Sequence, residues 1–240
     1  MIDVSPCEWQ QIVARVASGC AEAGLDLVHA FEVARYNSLA PEAAQLPDFG
    51  RASALGILIG NTRELWFHFV PAFEADAALI KSDNPLDDYV AARLTKIVAQ
   101  ATERATRPVF AHVTQPRAFP IQRLAELVGF AAVSPSHLAI HPLHGPWLAL
   151  RAVVVFDVQG PDQALPEPQR PCRNCSAPCV PALERAVAVS ATPLTSMAIA
   201  EHAAEWIAVR DACPVGKGSR YSDAQLSYHY APARSRIGLG

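Results

Sequence analysis

Charged side chains are scarce. Asp, Glu, Lys and Arg make up 18% of the 240 residues, against 51% hydrophobic ones. A chain with this balance has ample apolar surface to bury, which excludes disorder over most of its length. Basic residues are not in excess either, with 20 Lys and Arg against 23 Asp and Glu and a formal charge of −3. No basic stripe is available to neutralise a run of phosphates, so nucleic acid is excluded as the principal partner. Long apolar runs are missing: the stretches at 55–59 and 153–156 break off far short of the roughly 18 to 20 residues of a membrane span. No membrane partner is expected. The N-terminus lacks a basic start followed by an apolar stretch, so no signal peptide is expected and the cytoplasm is the expected compartment. Also absent are GxxxxGK[ST], a GxGxxG after a strand, HExxH and GxSxG. Kinase, dinucleotide dehydrogenase and hydrolase readings therefore have no motif behind them.

What is present is an alternation of helical and strand patterns. Ile12, Val13, Val16, Ala17 and Cys20 recur at helical steps ahead of Gly24, predicting a helix over 8–23. Strands are expected at 25–33 and 54–60, with a Pro-bearing loop over 37–50 between them. Helices are expected at 62–79 and after Asn84-Pro85, the latter carrying Tyr89, Val90, Leu94, Ile97 and Val98 on one face. A strand over 109–113, a helix over 121–128 closed by Gly129, and β-rich runs at 137–141 and 147–158 follow. The nearly continuous apolar character of the last run predicts a strand covered on both faces. Six prolines between 160 and 181 interrupt regular structure, and two helices, 196–212 and 222–230, complete the chain. The expected fold is α+β, a sandwich whose central, mostly antiparallel sheet is flanked by helices. Residues 1–160 would form the core, and 161–240 a Pro- and Cys-rich loop with C-terminal helices that complete a site.

Three groups of residues could carry chemistry. Cys172-Arg-Asn-Cys175-Ser-Ala-Pro-Cys179, with Cys213-Pro214 further on, offers thiolates for a soft metal or a cluster. A redox pair at Cys172 and Cys175, or ordinary free thiols, are the alternatives. Ile140-His141-Pro142-Leu143-His144-Gly145-Pro146-Trp147 is a turn whose His141 and Trp147 either line a ligand pocket or serve the loop and the core. Arg151 and Arg210 stand in apolar settings and must meet an anion or a carboxylate, Asp157 and Asp211 being the nearest in sequence.

Several stretches taken in order resemble the cyanocobalamin reductase family, the methylmalonic aciduria and homocystinuria type C proteins. These are Phe31-Glu-Val-Ala-Arg-Tyr36-Asn37 with Leu46-Pro47, Ile140-His141-Pro142 through Gly145 to Trp147 and Arg151, Arg210-Asp211-Ala212, and Arg220-Tyr221-Ser222-Asp223-Ala-Gln225 with Tyr228. The resemblance implies a nitroreductase-like fold and two activities: reductive loss of cyanide with FMN or FAD, and transfer of a cobalt-bound alkyl group to glutathione. It implies that Arg151, Arg210 and Arg236 bind glutathione carboxylates, and that Phe119, Ile121, Gln122, Ala139 and Leu150 meet the cobalamin. His141 and Trp147 belong with that ligand set. The site is expected where the late strands meet the C-terminal helices, in one space that takes the corrin ring with guanidinium groups at its rim. The cysteine run, Cys172, Cys175, Cys179 and Cys213, departs from this family and resembles that of epoxyqueuosine reductase, a cobalamin enzyme with iron–sulfur clusters. A [4Fe-4S] cluster or zinc is the corresponding expectation, with a cobalamin-dependent iron–sulfur reductase or a non-catalytic cobalamin carrier as alternative functions. The chain would act as a monomer or a homodimer.

Overall fold

The computed structural model describes residues 7–161 and 169–230. Helix α1 (Glu8–Glu22) turns Ile12, Val16 and Cys20 inward and is held at its start by the Cys7 amide donating to Gln10 Oε1. Strand β1 (Leu27–Glu32) leads into α2 (Val33–Leu39), then β2 (Ala54–Asn61), α3 (Glu64–Ala75), α4 (Ala77–Ile80) and α5 (Pro85–Ala101). Next come β3 (Thr106–Phe110), α6 (Ile121–Leu127), a small hairpin of β4 (Ala132–Val133) and β5 (Ala139–Ile140), and the long β6 (Ala149–Gln159). Helices α7 (Cys179–Val189), α8 (Ser196–Glu201), α9 (Ala203–Asp211) and α10 (Asp223–Tyr230) follow. Among the described residues no helix is long and apolar enough to cross a membrane.

The main sheet has the order β1-β2-β6-β3, and every neighbouring pair is antiparallel. Period-two alternation divides its side chains between two cores. Leu55, Ile57 and Ile59 of β2, with Ala152, Val154 and Phe156 of β6, pack under α1, α3 and α5. Leu58, Val153 and Val155 face the opposite way, against Tyr36 of α2 and Leu124 and Ala125 of α6. All eight residues of β2 are buried, as a strand covered on both faces must be. The expected α+β sandwich is the observed one.

A bulge breaks the alternation. The β2–β6 register steps from Ile59↔Ala152 to Gly60↔Leu150, so Arg151 stands opposite no residue of β2. The extra residue re-aims its side chain. Leu148 and Leu150 pack with the α6 core, Ala152 with the α1–α5 core, and Arg151 reaches Asp87 of α5.

Several elements differ from the sequence expectation. The loop expected over 37–50 instead begins inside α2 and contains a 3-10 turn, Glu42–Ala44. Asn37 ties it down, donating to the Leu46 carbonyl and accepting from the Leu46 amide. The third strand is 106–110 and not 109–113; Pro108 fits because β3 is an edge strand that needs hydrogen bonds on one side only. The helix expected at 62–79 is two, because Asp76 is extended and its carboxylate caps α4 through the Ala78 amide. The helix expected at 196–212 likewise divides at His202. The β-rich run at 137–141 shrinks to Ala139–Ile140. Helix α7 is masked in the sequence by the prolines around its start, of which Pro178 is its N-cap and Pro181 lies in its first turn, where a missing amide costs nothing.

Candidate active site

A cavity of about 240 Å³ opens where the start of β6 meets α9 and α10, lined by Ala149, Arg151, Arg210, Tyr221, His229 and Tyr230 among others. Arg151 is brought there by the bulge and Arg210 by the last turn of α9. Arg151 Nε donates to Asn61 Oδ1 at 2.6 Å and Nη1 faces Asp87 Oδ1 at 3.5 Å, while Nη2 is buried with no hydrogen-bond partner among the described residues. Its side chain is 12% exposed. Leaving such a donor unmet costs about 1–3 kcal/mol or more, so an acceptor is wanted at this point. The Tyr221 hydroxyl is in the same condition. Burial pulls the Arg151 guanidinium below its ordinary range, while the neighbouring Tyr221 and Asp87 act in the opposite direction. Burial likewise raises Tyr221, which keeps its proton and can donate it in a hydrogen bond.

Arg210 is anchored differently. Nη1 donates to the Pro146 carbonyl at 2.5 Å and Nε to the Tyr230 hydroxyl at 3.2 Å, and the group lies 5.9 Å from the Trp147 ring centroid. The carboxylates nearest in sequence are engaged elsewhere: Asp157 with Arg51, and Asp211 with Arg220. Arg220 also sits over Trp147, at 5.7 Å. Trp147 is 1% exposed and packs with Tyr221 and Leu226, so it supports two guanidinium groups from beneath and does not line the cavity. Arg236 lies outside the described residues.

The residues expected to meet a corrin lie on the α6 side of the sheet. Phe119, Ala139 and Leu150 pack with Ile121 and Leu124 against that core, and Gln122 is exposed on α6. His141 borders the same region, its ring 4.9 Å from Phe130 and 4.9 Å from His144. Its Nδ1 accepts from the amides of Leu143 and His144, which leaves the proton of the neutral ring on Nε2. Burial, the charge of His144 and that of His29 lower its pKa from 6.5 to about 4. The single space expected for corrin and guanidinium groups together is therefore not what is found. The arginine cavity is below the roughly 300–1,000 Å³ of a small-molecule cleft. Leu148, which lines it and also packs with the α6 core, adjoins the two regions.

The His-Pro turn is locked to the C-terminal part by two glycines. Gly145 (φ +57°) and Gly216 (φ +73°) meet backbone to backbone: a Cβ on Gly145 would fall 2.0 Å from the Val215 carbonyl oxygen, and one on Gly216 would fall 2.1 Å from that of His144. His144 Nδ1 and Ser219 Oγ add a hydrogen bond at 2.9 Å. Next to this junction, Cys172, Cys175, Cys179 and Cys213 line a second, small cavity, closed on its other side by the β4–β5 hairpin. Burial raises the Cys172 thiol, and the other three cysteines add to the rise. Among the described residues no three His, Cys, Asp or Glu side chains stand as a ready-made metal-holding group.

Asn61, Asp87 and Tyr230 carry no signal in the sequence, and Tyr221 stands out there only as part of a motif. Asn61 and Asp87 are far from Arg151 in the chain, and no spacing pattern links them to it.

No family model matches the chain. Curated proteins do. Human cyanocobalamin reductase / alkylcobalamin dealkylase is 28% identical over an alignment of 234 residues, covering 88% of this chain and 75% of that protein. The chain is similar to cyanocobalamin reductase / alkylcobalamin dealkylase. The bovine protein of the same name is also 28% identical, over 229 residues. Among solved structures, the B12-trafficking protein CblC of C. elegans matches with a TM-score of 0.71 and 18% identity, covering 96% of this chain and 94% of that one. The sandwich seen here is thus the CblC fold.

Proposed function

We propose that this chain is a cobalamin-processing enzyme that removes the upper ligand of the cobalt, with glutathione as the thiol co-substrate held in the arginine cavity. The observation that carries the proposal is the pair of guanidinium groups at one cavity, with Arg151 Nη2 and the Tyr221 hydroxyl unpartnered among the described residues, in a chain similar to cyanocobalamin reductase / alkylcobalamin dealkylase. Cobalamin is the substrate and supplies the reactive metal–carbon bond. The apolar α6 side, with Phe119, Ile121, Gln122, Ala139 and Leu150, takes the corrin, and His141 presents an N–H at its edge. Arg151 and Arg210 take the carboxylates of glutathione, for which planar forks of donors suit the geometry. Arg236 is the third arginine of this set.

In dealkylation the thiolate sulfur attacks the cobalt-bound carbon. A carbon–sulfur bond forms, and the carbon–cobalt bond breaks with its electron pair passing to cobalt, giving a thioether and cob(I)alamin. Fixing the tripeptide by its carboxylates turns this into a step between positioned partners. For decyanation a reduced flavin, FMN or FAD, would supply the electron that takes cobalt(III) to cobalt(II) and lets cyanide leave.

Mixing the protein anaerobically with methylcobalamin and glutathione tests the reading. Conversion to the cob(I)alamin spectrum with stoichiometric S-methylglutathione is expected. Bound cobalamin that keeps its methyl group with glutathione, and its cyanide with reduced flavin, would make the chain a carrier and overturn the proposal.

A further inference from the structure

We propose that Cys172, Cys175, Cys179 and Cys213 form a four-thiolate site for a single soft metal ion of the zinc class, which clamps the segment before α7 to the loop after α9. The four side chains come from two separate stretches of chain and converge on one cavity. Its free space of about 20 Å³ is that of one water molecule or one ion, and its lining is almost wholly apolar apart from the sulfurs, Ser134 and Ser136. A cubane iron–sulfur cluster needs several times that room. A single ion fits.

Local backbone favours ligation at both ends. Cys172 and Cys175 are joined by a tight turn in which the Cys175 amide donates to the Cys172 carbonyl at 3.3 Å, the close spacing that pairs two sulfurs on one ion. Cys179 follows as the first residue of α7. In the second stretch Cys213 is buried at the turn after α9, where its amide donates to the Arg210 carbonyl at 3.1 Å. Four thiols facing one dry space repel one another once ionised, and a divalent cation removes that repulsion and releases their protons. Among the described residues the four side chains do not stand as a ready-made metal-holding group, so loading requires the sulfurs to draw together.

The clamp has a position of consequence. Leu138 and Ile140 line the cysteine cavity, and Ala139 between them packs with the α6 core. A closed four-ligand ion here would brace the hairpin from behind. It is structural, with no open coordination position for substrate.

Cobalt(II) titration of the reduced full chain is the test, with zinc competition and total metal analysis. Intense visible bands of tetrahedral cobalt and thiolate charge-transfer absorption in the near ultraviolet are expected, at one ion per chain and displaced by zinc. Cys175→Ser and Cys213→Ser should each weaken binding about 100-fold, whereas Cys7→Ser, in the exposed residue ahead of α1, should leave it unchanged. In the wild type, zinc should slow proteolysis of the segment ahead of α7, which reads the clamp without relying on a variant that folds. Absence of the cobalt bands, equal affinity in Cys213→Ser, or brown protein with about four irons per chain would overturn the proposal. Cobalamin turnover is read separately, so failure here leaves the enzymatic reading standing.

Discussion

At the scale of single residues, the site is built from groups that have partners on one side and lack them on the other. Arg151 is held at Nε by Asn61 and at Nη1 by Asp87, and its remaining nitrogen has none among the described residues. His141 is the opposite case, a ring whose Nδ1 is committed to two backbone amides. Burial first, and then the charges of His144 and His29, set a pH dependence. With its pKa lowered from 6.5 to about 4, folded His141 stays neutral where the unfolded chain binds a proton. Its contribution to stability is complete above pH 6.5 and is lost as pH falls toward 4. Thermal melts between pH 7 and 4 should therefore show a decline that His141→Gln, which cannot titrate, reduces. An equal decline in both proteins would contradict this account of His141.

At the scale of elements, chain pattern and structure part company where long-range contacts decide. The strands at 27–32, 54–61 and 149–159 and the helices at 8–22, 85–101 and 121–127 are legible because their apolar periods are strong. Their interruptions are not: the bulge that turns Arg151 toward α5 comes from pairing with β2, which periodicity in one strand cannot reveal. Arg210 is recognisable in the sequence as an arginine in need of an anion, but its Pro146 and Tyr230 partners belong to distant segments. Trp147 illustrates the converse. Readable as a ligand contact or a core residue, it is core, and it acts on the site through Arg210 and Arg220. The join between the His-Pro turn and the 213–219 loop depends on two glycines with positive φ. Gly216→Ala forces a Cβ into the His144 carbonyl as well as an unfavourable backbone conformation, and should destabilise the protein by about 2 kcal/mol or more. Denaturant unfolding would register this as a lower midpoint; an unchanged midpoint would mean that the two loops do not need each other.

At the scale of the whole molecule, the sheet separates two surfaces that the proposed chemistry must bring into register. In the proposed reading the corrin lies on the α6 side and the thiol in the cavity between β6, α9 and α10, and Leu148 is common to both regions. Helix α10 ties the C-terminal part back to the main core, since Tyr228 packs against Trp66 and Phe69. The central claim is that the two arginines position the thiol and leave the corrin to the other face. Steady-state dealkylation of methylcobalamin across a range of glutathione concentrations in Arg210→Ala, with Arg151→Lys as the milder companion that keeps a charge beside Asp87, tests it most directly. The predicted result is a KM for glutathione raised about tenfold or more, as expected for loss of a charge-assisted pair, with cobalamin affinity within about twofold of the wild type. An unchanged KM for glutathione, or a loss confined to cobalamin binding, would contradict it.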